Sequence, residues 1–198
     1  MILPDSLKSR NTPNFSGVPE SQIAPGGRFR YNTTMSKKDK YPVTAAIRLL
    51  KSRGIPFEVL PYKYVERGGT KSSSEQLGVD EHLMVKTLIM ETDTGDPLIV
   101  LMHGDKEVST KNLAREIGAK SVRPCDPAVA DKHSGYFVGG TSPFGTRRAM
   151  PVYAEATIFD LDEVFLNAGH RGLMLRMRAA DIEKALEVTR VEVGIGTG

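Results

Sequence analysis

Residues 135–145 read GYFVGGTSPFG: four glycines and a Ser-Pro turn among apolar residues, where an ordinary strand carries a side chain at nearly every position. Glycine removes the Cβ, opens positive φ and exposes N–H groups, so the pair Gly139-Gly140, read as leaving a strand, lets this backbone come close to a neighbour. Two uses of such a stretch are open. One is a bulge and tight turn between strands; the other is a set of peptide donors held against a ligand.

The flanking segments set the fold class. Upstream, residues 85–91 and 97–102 are apolar runs separated by Thr92-Asp93-Thr94-Gly95-Asp96, which predicts a β-hairpin with a loop longer than two residues. Downstream, residues 150–154, 163–167 and 173–177 read as strands, the last two joined by the turn Gly169-His170-Arg171-Gly172. A further strand over residues 55–62 is interrupted by Pro56 and Pro61, which favours an edge position. Helical spacing of Val43, Ala46, Ile47 and Leu50, stopped by Gly54, predicts a first helix. Ser72 with Glu75 has the capping-box spacing for a short helix that Gly78 closes; Ser109 or Thr110 can cap another ending at Gly118. Asp126-Pro127 opens one through Lys132, and Ile182, Ala185 and Leu186 mark a closing helix. Strands and short helices interleave without a regular βαβ rhythm. The expected class is α/β in the mixed α+β sense: one mixed, partly barrel-like sheet with helices packed outside.

Bulk properties bound the rest. With 198 residues, 39% hydrophobic and 26% charged, the chain supports one well-filled core. A net charge of +3 with a pI near 8.9 is compatible with a polyanionic partner but far below that of proteins that coat nucleic acid. The single cysteine, Cys125, excludes an internal disulfide framework and makes a reducing cytoplasm the natural compartment. No apolar run reaches the length of a membrane span, so no membrane partner is expected. Residues 1–34 scatter Pro4, Pro13, Pro19 and Pro25 among Ser, Asn, Gly and Thr, and read as a disordered or loosely attached extension, native or vector-derived. The folded domain is then residues 35–198.

Several residues could carry chemistry. Lys86 shares a face with Leu88 and Met90 by strand alternation, a charge on an apolar face. It is either an edge-strand lysine that snorkels to water or a donor pointing into a pocket. Ser142 lacks the nucleophile-elbow spacing and has no identifiable His/Asp partner, which fits a turn serine. His82, His103, His133 and His170 fall singly, so no metal is assigned. Arg147-Arg148 and His170-Arg171, with Lys106 and Lys111, could line a phosphate-facing rim or simply be solvated.

Taken together, Arg53-Gly54-Ile55, Val85-Lys86-Thr87-Leu88, AREIGA at residues 114–119, Asp126-Pro127, GYFVGGTSPFG followed by Arg147 and Arg148, and AGHRG at residues 168–172 resemble the YbaK family. These are free-standing relatives of the editing domain inserted in bacterial prolyl-tRNA synthetases. The resemblance covers residues 43–191 and implies a deacylase that clears a wrongly attached amino acid from tRNA in trans, most simply cysteine from the proline tRNA, with no metal or organic cofactor. The implied partners are the aminoacyl-tRNA acceptor end and a prolyl-tRNA synthetase.

By the same resemblance, Lys86 matches the family's essential lysine, and Gly139 and Gly140 match glycines whose backbone lines the pocket as oxyanion donors. Tyr62, Thr87, Thr141, Ser142, Asn167 and Met174 fall where substrate contacts are expected, and Arg147, Arg148 and Arg171 where tRNA would lie. Asn167 and Met174 stand where the cysteine-clearing branch has a serine and an aspartate, which opens a different amino acid, such as alanine on the proline tRNA. A non-catalytic binder of tRNA ends or of another protein is the competing class. For a cysteinyl ester the substrate's own thiol can attack intramolecularly, leaving Cys125 a bystander.

Overall fold

A computed structural model of the chain describes residues 41–196; the extension expected over residues 1–34 lies outside them. The predicted hairpin is the centre of the sheet. β2 (Met84–Thr92) pairs antiparallel with β3 (Pro97–His103) from Val85↔His103 to Glu91↔Pro97, and every residue of β3 is buried. Around it lie β1 (Glu58–Pro61), β5 (Val122–Pro124), β6 (Val152–Glu155), β7 (Glu163–Asn167), β8 (Leu173–Arg178) and β9 (Val188–Val191). They form one 8-stranded mixed sheet of order β1-β8-β7-β2-β3-β6-β9, with β5 on β2. β1 is an edge, as its prolines required. Parallel pairs join β2 to β7, β3 to β6 and β6 to β9, so the sheet is mixed as expected. A separate ribbon joins β4 (Lys106–Val108) to β10 (Gly194–Gly196).

One feature of the pairing positions everything that follows. Since β3 occupies one side of β2, β7 and β5 must share the other. β7 pairs only with Met84 and Val85, and β5 only with Met90, Glu91 and Thr92. Lys86, Thr87, Leu88 and Ile89 therefore have no strand beside them on that edge; a single bond from Cys125 N–H to Ile89 O at 3.0 Å reaches it from the end of β5.

The helices pack on both faces. α1 (Ala45–Ser52) is capped by Thr44, whose Oγ1 accepts the Ile47 N–H at 3.2 Å, and buries Ala46, Ile47 and Leu50. These meet Val85, Ile89, Leu101, Leu166 and Leu175 in the main core, together with Ala130 of α4 (Pro127–Ser134) and Ile182 and Ala185 of α5 (Ala180–Ala185). On the other face, Met90, Val100 and Met102 pack under Leu113 and Ala114 of α3 (Thr110–Ile117), where Ser109 caps Asn112 N–H. A third cluster of Met84, Phe165 and Met174 lies with Leu77 of α2 (Gly69–Leu77). Lys86 sits on this second face between Met84 and Met90, at the seam of the two smaller clusters.

Two local expectations are corrected. The glycine-rich segment is not a strand: between Ser134 and Val152 the chain makes turns only, because its bonds are local, such as Gly140 N–H to Phe137 O at 2.9 Å. And α2 begins at Gly69, not at Ser72, which falls inside it with its amide bonded to Gly68 O at 3.1 Å; Gly78 closes the helix in the left-handed region as expected. Strands β4, β5, β9 and β10 were not anticipated.

His103, at the end of β3, is fully buried; its Nδ1 lies 2.8 Å from His82 O and its Nε2 lies 2.9 Å from Thr157 Oγ1. Burial holds the imidazole below its ordinary pKa, although the His82 carbonyl pulls the other way. An unfolded chain therefore takes up this proton first as the pH falls. The contribution is fully present above the ordinary histidine pKa of about 6.5 and is lost as pH drops through the folded value. Urea midpoints should fall between about pH 7.5 and about pH 5.5, and a His103→Gln chain should show a smaller fall over the same interval.

Candidate functional site

A cavity of ≈ 860 Å³ opens at the unpaired stretch of β2. Lys86, Thr87, Leu88 and Ile89 form its floor, Asn167 and Met174 one side, Pro124 and Cys125 the other, and the segment from Tyr62 to Ser73 with Val138, Gly139, Thr141 and Arg171 its rim. A smaller hollow of ≈ 430 Å³ lies beside the hairpin turn, where Asp93 Oδ1 already accepts the Lys120 and Ser121 amides. Lys86 and the glycine loop meet at the larger one.

Lys86 reaches it half-buried. Its Nζ donates to Gly104 O at 3.1 Å and to Lys106 O, both in the turn that follows β3. Burial pushes its pKa below the usual lysine range, and Glu107, Glu81 and Asp105 partly restore it. An ammonium has three protons; two are spent on these carbonyls, which leaves one for a guest in the cavity. The acceptor turn is itself anchored. Gly104 O also accepts Thr70 Oγ1 at 3.2 Å, and a Cβ on Gly104 would stand 2.4 Å from Glu81 O, so only glycine fits. Asp105 holds His82 Nδ1 at 2.9 Å, and the His82 ring stacks on His103 with centroids 3.8 Å apart. Burial raises the Asp105 carboxyl, but the hydrogen bond and charge of His82 outweigh it and the net shift is downward.

The hairpin register thus brings together His82, His103 and Asp105, whose ligand atoms lie within 4.8 Å of one another, although the histidines fall singly in sequence. Both nitrogens of His103 have protein partners, so the group reads as a support for the turn.

The glycine loop contributes unequally. Gly139, at φ +90°, lines the cavity, and its N–H and that of Thr141 make no hydrogen bond among the described residues. Gly140 does not line it. Its N–H is committed to Phe137 O, and a Cβ there would stand 2.7 Å from Arg171 N, so this glycine is needed for close packing of two backbones. The expectation of a Gly139–Gly140 donor pair is corrected accordingly: the amides available beside the cavity are those of Gly139 and Thr141. Ser142 is fully buried, accepts Phe144 N–H at 3.5 Å and does not line the cavity; it is a turn serine. Tyr136 pins the loop by donating to Phe144 O at 2.6 Å while its ring packs on Gly169.

The remaining expected residues divide as follows. Tyr62, Thr87, Asn167 and Met174 all line the cavity, and burial pushes the Tyr62 phenol pKa up. Thr87 Oγ1 and Asn167 Oδ1 are buried without a hydrogen-bond partner among the described residues. Arg171 stands at the rim, its Nε donating to Val138 O at 2.9 Å and its guanidinium 5.1 Å over the Tyr64 ring. Arg147 and Arg148 are exposed and lie away from the cavity lining. Sequence reasoning places a pocket wall in residues 67–74, where Arg67 and Thr70 do line the cavity, but missed Tyr64 and the lining position of Cys125. A signal existed in Gly68-Gly69, since a glycine pair after an edge strand marks another sharp turn; Arg67 there has φ +59°.

This geometry has counterparts in known proteins. A candidate Cys-tRNA(Pro)/Cys-tRNA(Cys) deacylase of Enterococcus faecalis is 26% identical over 144 residues, covering 72% of this chain and 88% of that one. A proline–tRNA ligase of Thermodesulfovibrio yellowstonii is 30% identical over 112 residues, and the match spans only 19% of that longer enzyme. Among solved structures, a candidate trans-editing enzyme for prolyl tRNA synthetase shares the fold at TM-score 0.69 and 18% identity, over 77% of this chain and 96% of that one. The family described as the aminoacyl-tRNA editing domain matches residues 69–185, a span that runs from the first turn of α2 to the end of α5 and so holds Lys86, the glycine loop and Met174. With more than half of its length in that match, and most of the cavity lining inside it, this chain belongs to the aminoacyl-tRNA editing domain family.

Proposed function

We propose that this protein hydrolyses the ester of a mischarged tRNA in trans, with cysteinyl-tRNA for proline as its first substrate. The observation that carries the reading is that Lys86, with one proton uncommitted, and Gly139 and Thr141, whose amides have no hydrogen-bond partner among the described residues, line a single cavity. An aminoacyl ester is already activated, so a protein need only position it and stabilise the oxyanion that forms on its carbonyl. The amides supply fixed dipoles for that oxygen, and the ammonium supplies charge for it or for the phosphate of the terminal adenosine. In hydrolysis water adds to the carbonyl carbon, the bond to the ribose oxygen breaks, and a proton returns to that oxygen. With a cysteinyl substrate the thiol can add instead, its proton passing to the ribose oxygen as a cyclic thioester leaves. The finer assignments, including a synthetase partner and a cytoplasmic site of action, are part of this proposal; among the described residues no helix is long and apolar enough to cross a membrane.

A second substrate in the same reaction is favoured by Met174, which is 3% exposed and lies opposite Asn167 in the β7–β8 register. The charged side chains lining the cavity are Glu66, Arg67, Lys86 and Arg171, all but Lys86 being on the rim, so the Asn167–Met174 side offers a thioether where a carboxylate would favour a polar substrate. An alanyl ester suits such a surface, and small apolar side chains are poorly separated by binding alone, by only about 10- to 200-fold.

Deacylation of labelled Cys-tRNA(Pro) and Ala-tRNA(Pro) tests both. Wild type should release one or both, and Lys86→Ala should lower kcat/KM by about 100-fold or more. Equal, background-level release from the two proteins would refute the enzyme reading. Cys125 gives an independent check on the nucleophile. Burial, then the Glu91 carboxylate 3.7 Å from its Sγ, push its thiol pKa up to about 11. At neutral pH it stays a thiol: iodoacetamide should label it far more slowly than free cysteine, and Cys125→Ala should deacylate within about threefold of wild type. Loss of turnover in that variant would mean that a protein thiol attacks the ester.

A further inference from the structure

Exposed apolar side chains gather around the cavity mouth. Val65 and Val138, 46% and 45% exposed, line the rim, and Phe137, next to Val138, is 73% exposed. The Phe137 backbone is nevertheless held: its carbonyl accepts Gly140 N–H at 2.9 Å, and the following amide, Val138 N–H, donates to Asp131 Oδ1 at 3.0 Å. The guanidinium of Arg171 lies 5.1 Å from the Tyr64 ring centroid and 6.0 Å from that of Phe137, so it stands between the two rings. A fixed backbone thus presents a bare aromatic face beside a cation at the entrance to the cavity.

We propose that Phe137 is a stacking platform for an unpaired nucleobase of the substrate RNA, the one preceding the esterified terminal nucleotide. The inference rests on the reading above and extends it to the part of the RNA left outside when the ester enters. Three observations favour this occupant. The patch is one aromatic ring and two valines, far short of the roughly 800 Å² that a stable protein partner covers on one side. Of the charged groups nearby, Arg171 stands at the ring itself, with Arg67 also on the rim, while the Asp131 carboxylate accepts the Val138 amide; a cation beside the ring suits a phosphate backbone. And a nucleobase is recognised by π-face and cation without needing polar partners on the protein, which is what Phe137 and Arg171 offer together.

Two measurements decide it. In the first, kcat/KM is compared for full-length aminoacyl-tRNA and for the same amino acid esterified to adenosine, which lacks the preceding nucleotide. Phe137→Ala should lower the ratio of the two by about 5- to 150-fold, Phe137→Trp should restore it, and Phe137→Leu should not. In the second, an uncharged RNA acceptor stem with 2-aminopurine next to its terminal adenosine is titrated with protein. Wild type should quench its fluorescence by stacking, and Phe137→Ala should not. An unchanged ratio, rescue by leucine, or equal quenching by both proteins would overturn the platform. If wild type clears no ester yet quenches in a Phe137-dependent way, the deacylase reading fails and the stacking site stands.

Discussion

The site depends on an interruption in backbone pairing. Along one edge of β2, β7 stops at Val85 and β5 starts at Met90, and the cavity occupies the space between. A sheet normally tolerates no such gap at its centre, because unpaired peptide groups lose water without gaining a partner. Here the other edge is held by β3 over its full length, with all seven residues buried, so the hairpin stays straight while its free edge stays open. The opening is therefore a property of strand lengths: β5, with three residues, and β7, bound through only two, are too short to meet. Extending each by two residues would pair all four open positions, Lys86 to Ile89, and close the cavity.

Lys86 is the side chain this arrangement makes costly. Withdrawing an ammonium from water costs several kcal/mol unless its protons find acceptors. Gly104 O and Lys106 O supply two, and the carboxylates of Glu107, Glu81 and Asp105 oppose the desolvation that lowers its pKa. Those carbonyls come from a turn fixed by a glycine that cannot carry a Cβ and by the stacked His82–His103 pair with Asp105. The cluster that looks most like a metal site is thus explained as scaffolding for the lysine.

Much of this was legible in the sequence, and the division follows the range of the interaction. Lys86 on an apolar face, the β2–β3 hairpin and the caps at Ser109 and Gly118 are read from neighbours a few residues apart, and all stand. The class of mixed sheet was legible from the absence of a βαβ rhythm, but β9 was not: it is four residues, two of them exposed, and is a strand only because β6 runs parallel beside it. The glycine loop was half legible. Its composition announced a close approach, yet Gly140 is small to admit the backbone of Arg171, 31 residues later, and not to face a ligand. Nor could spacing place Cys125 in the wall or His82 beside Asp105, since both follow from which strand ends where.

The floor and the adjoining side of the cavity each hold a buried oxygen. Thr87 Oγ1 and Asn167 Oδ1 are shielded from water yet bonded to nothing among the described residues, and each such group costs a fold about 1–3 kcal/mol. A ligand that donates a hydrogen to either would recover that cost, whereas one that merely fills the space would not. Met174, across the β7–β8 pair from Asn167, presents the opposite surface, soft and without a fixed polar direction. The lining is therefore directional at Thr87 and Asn167 and steric at Met174. Under the proposed reading, an aminoacyl ester would bring a donor, its α-ammonium, that these two oxygens could accept whatever the side chain. On that proposal, selection among side chains would fall to the space around Met174, a surface of shape and not of charge.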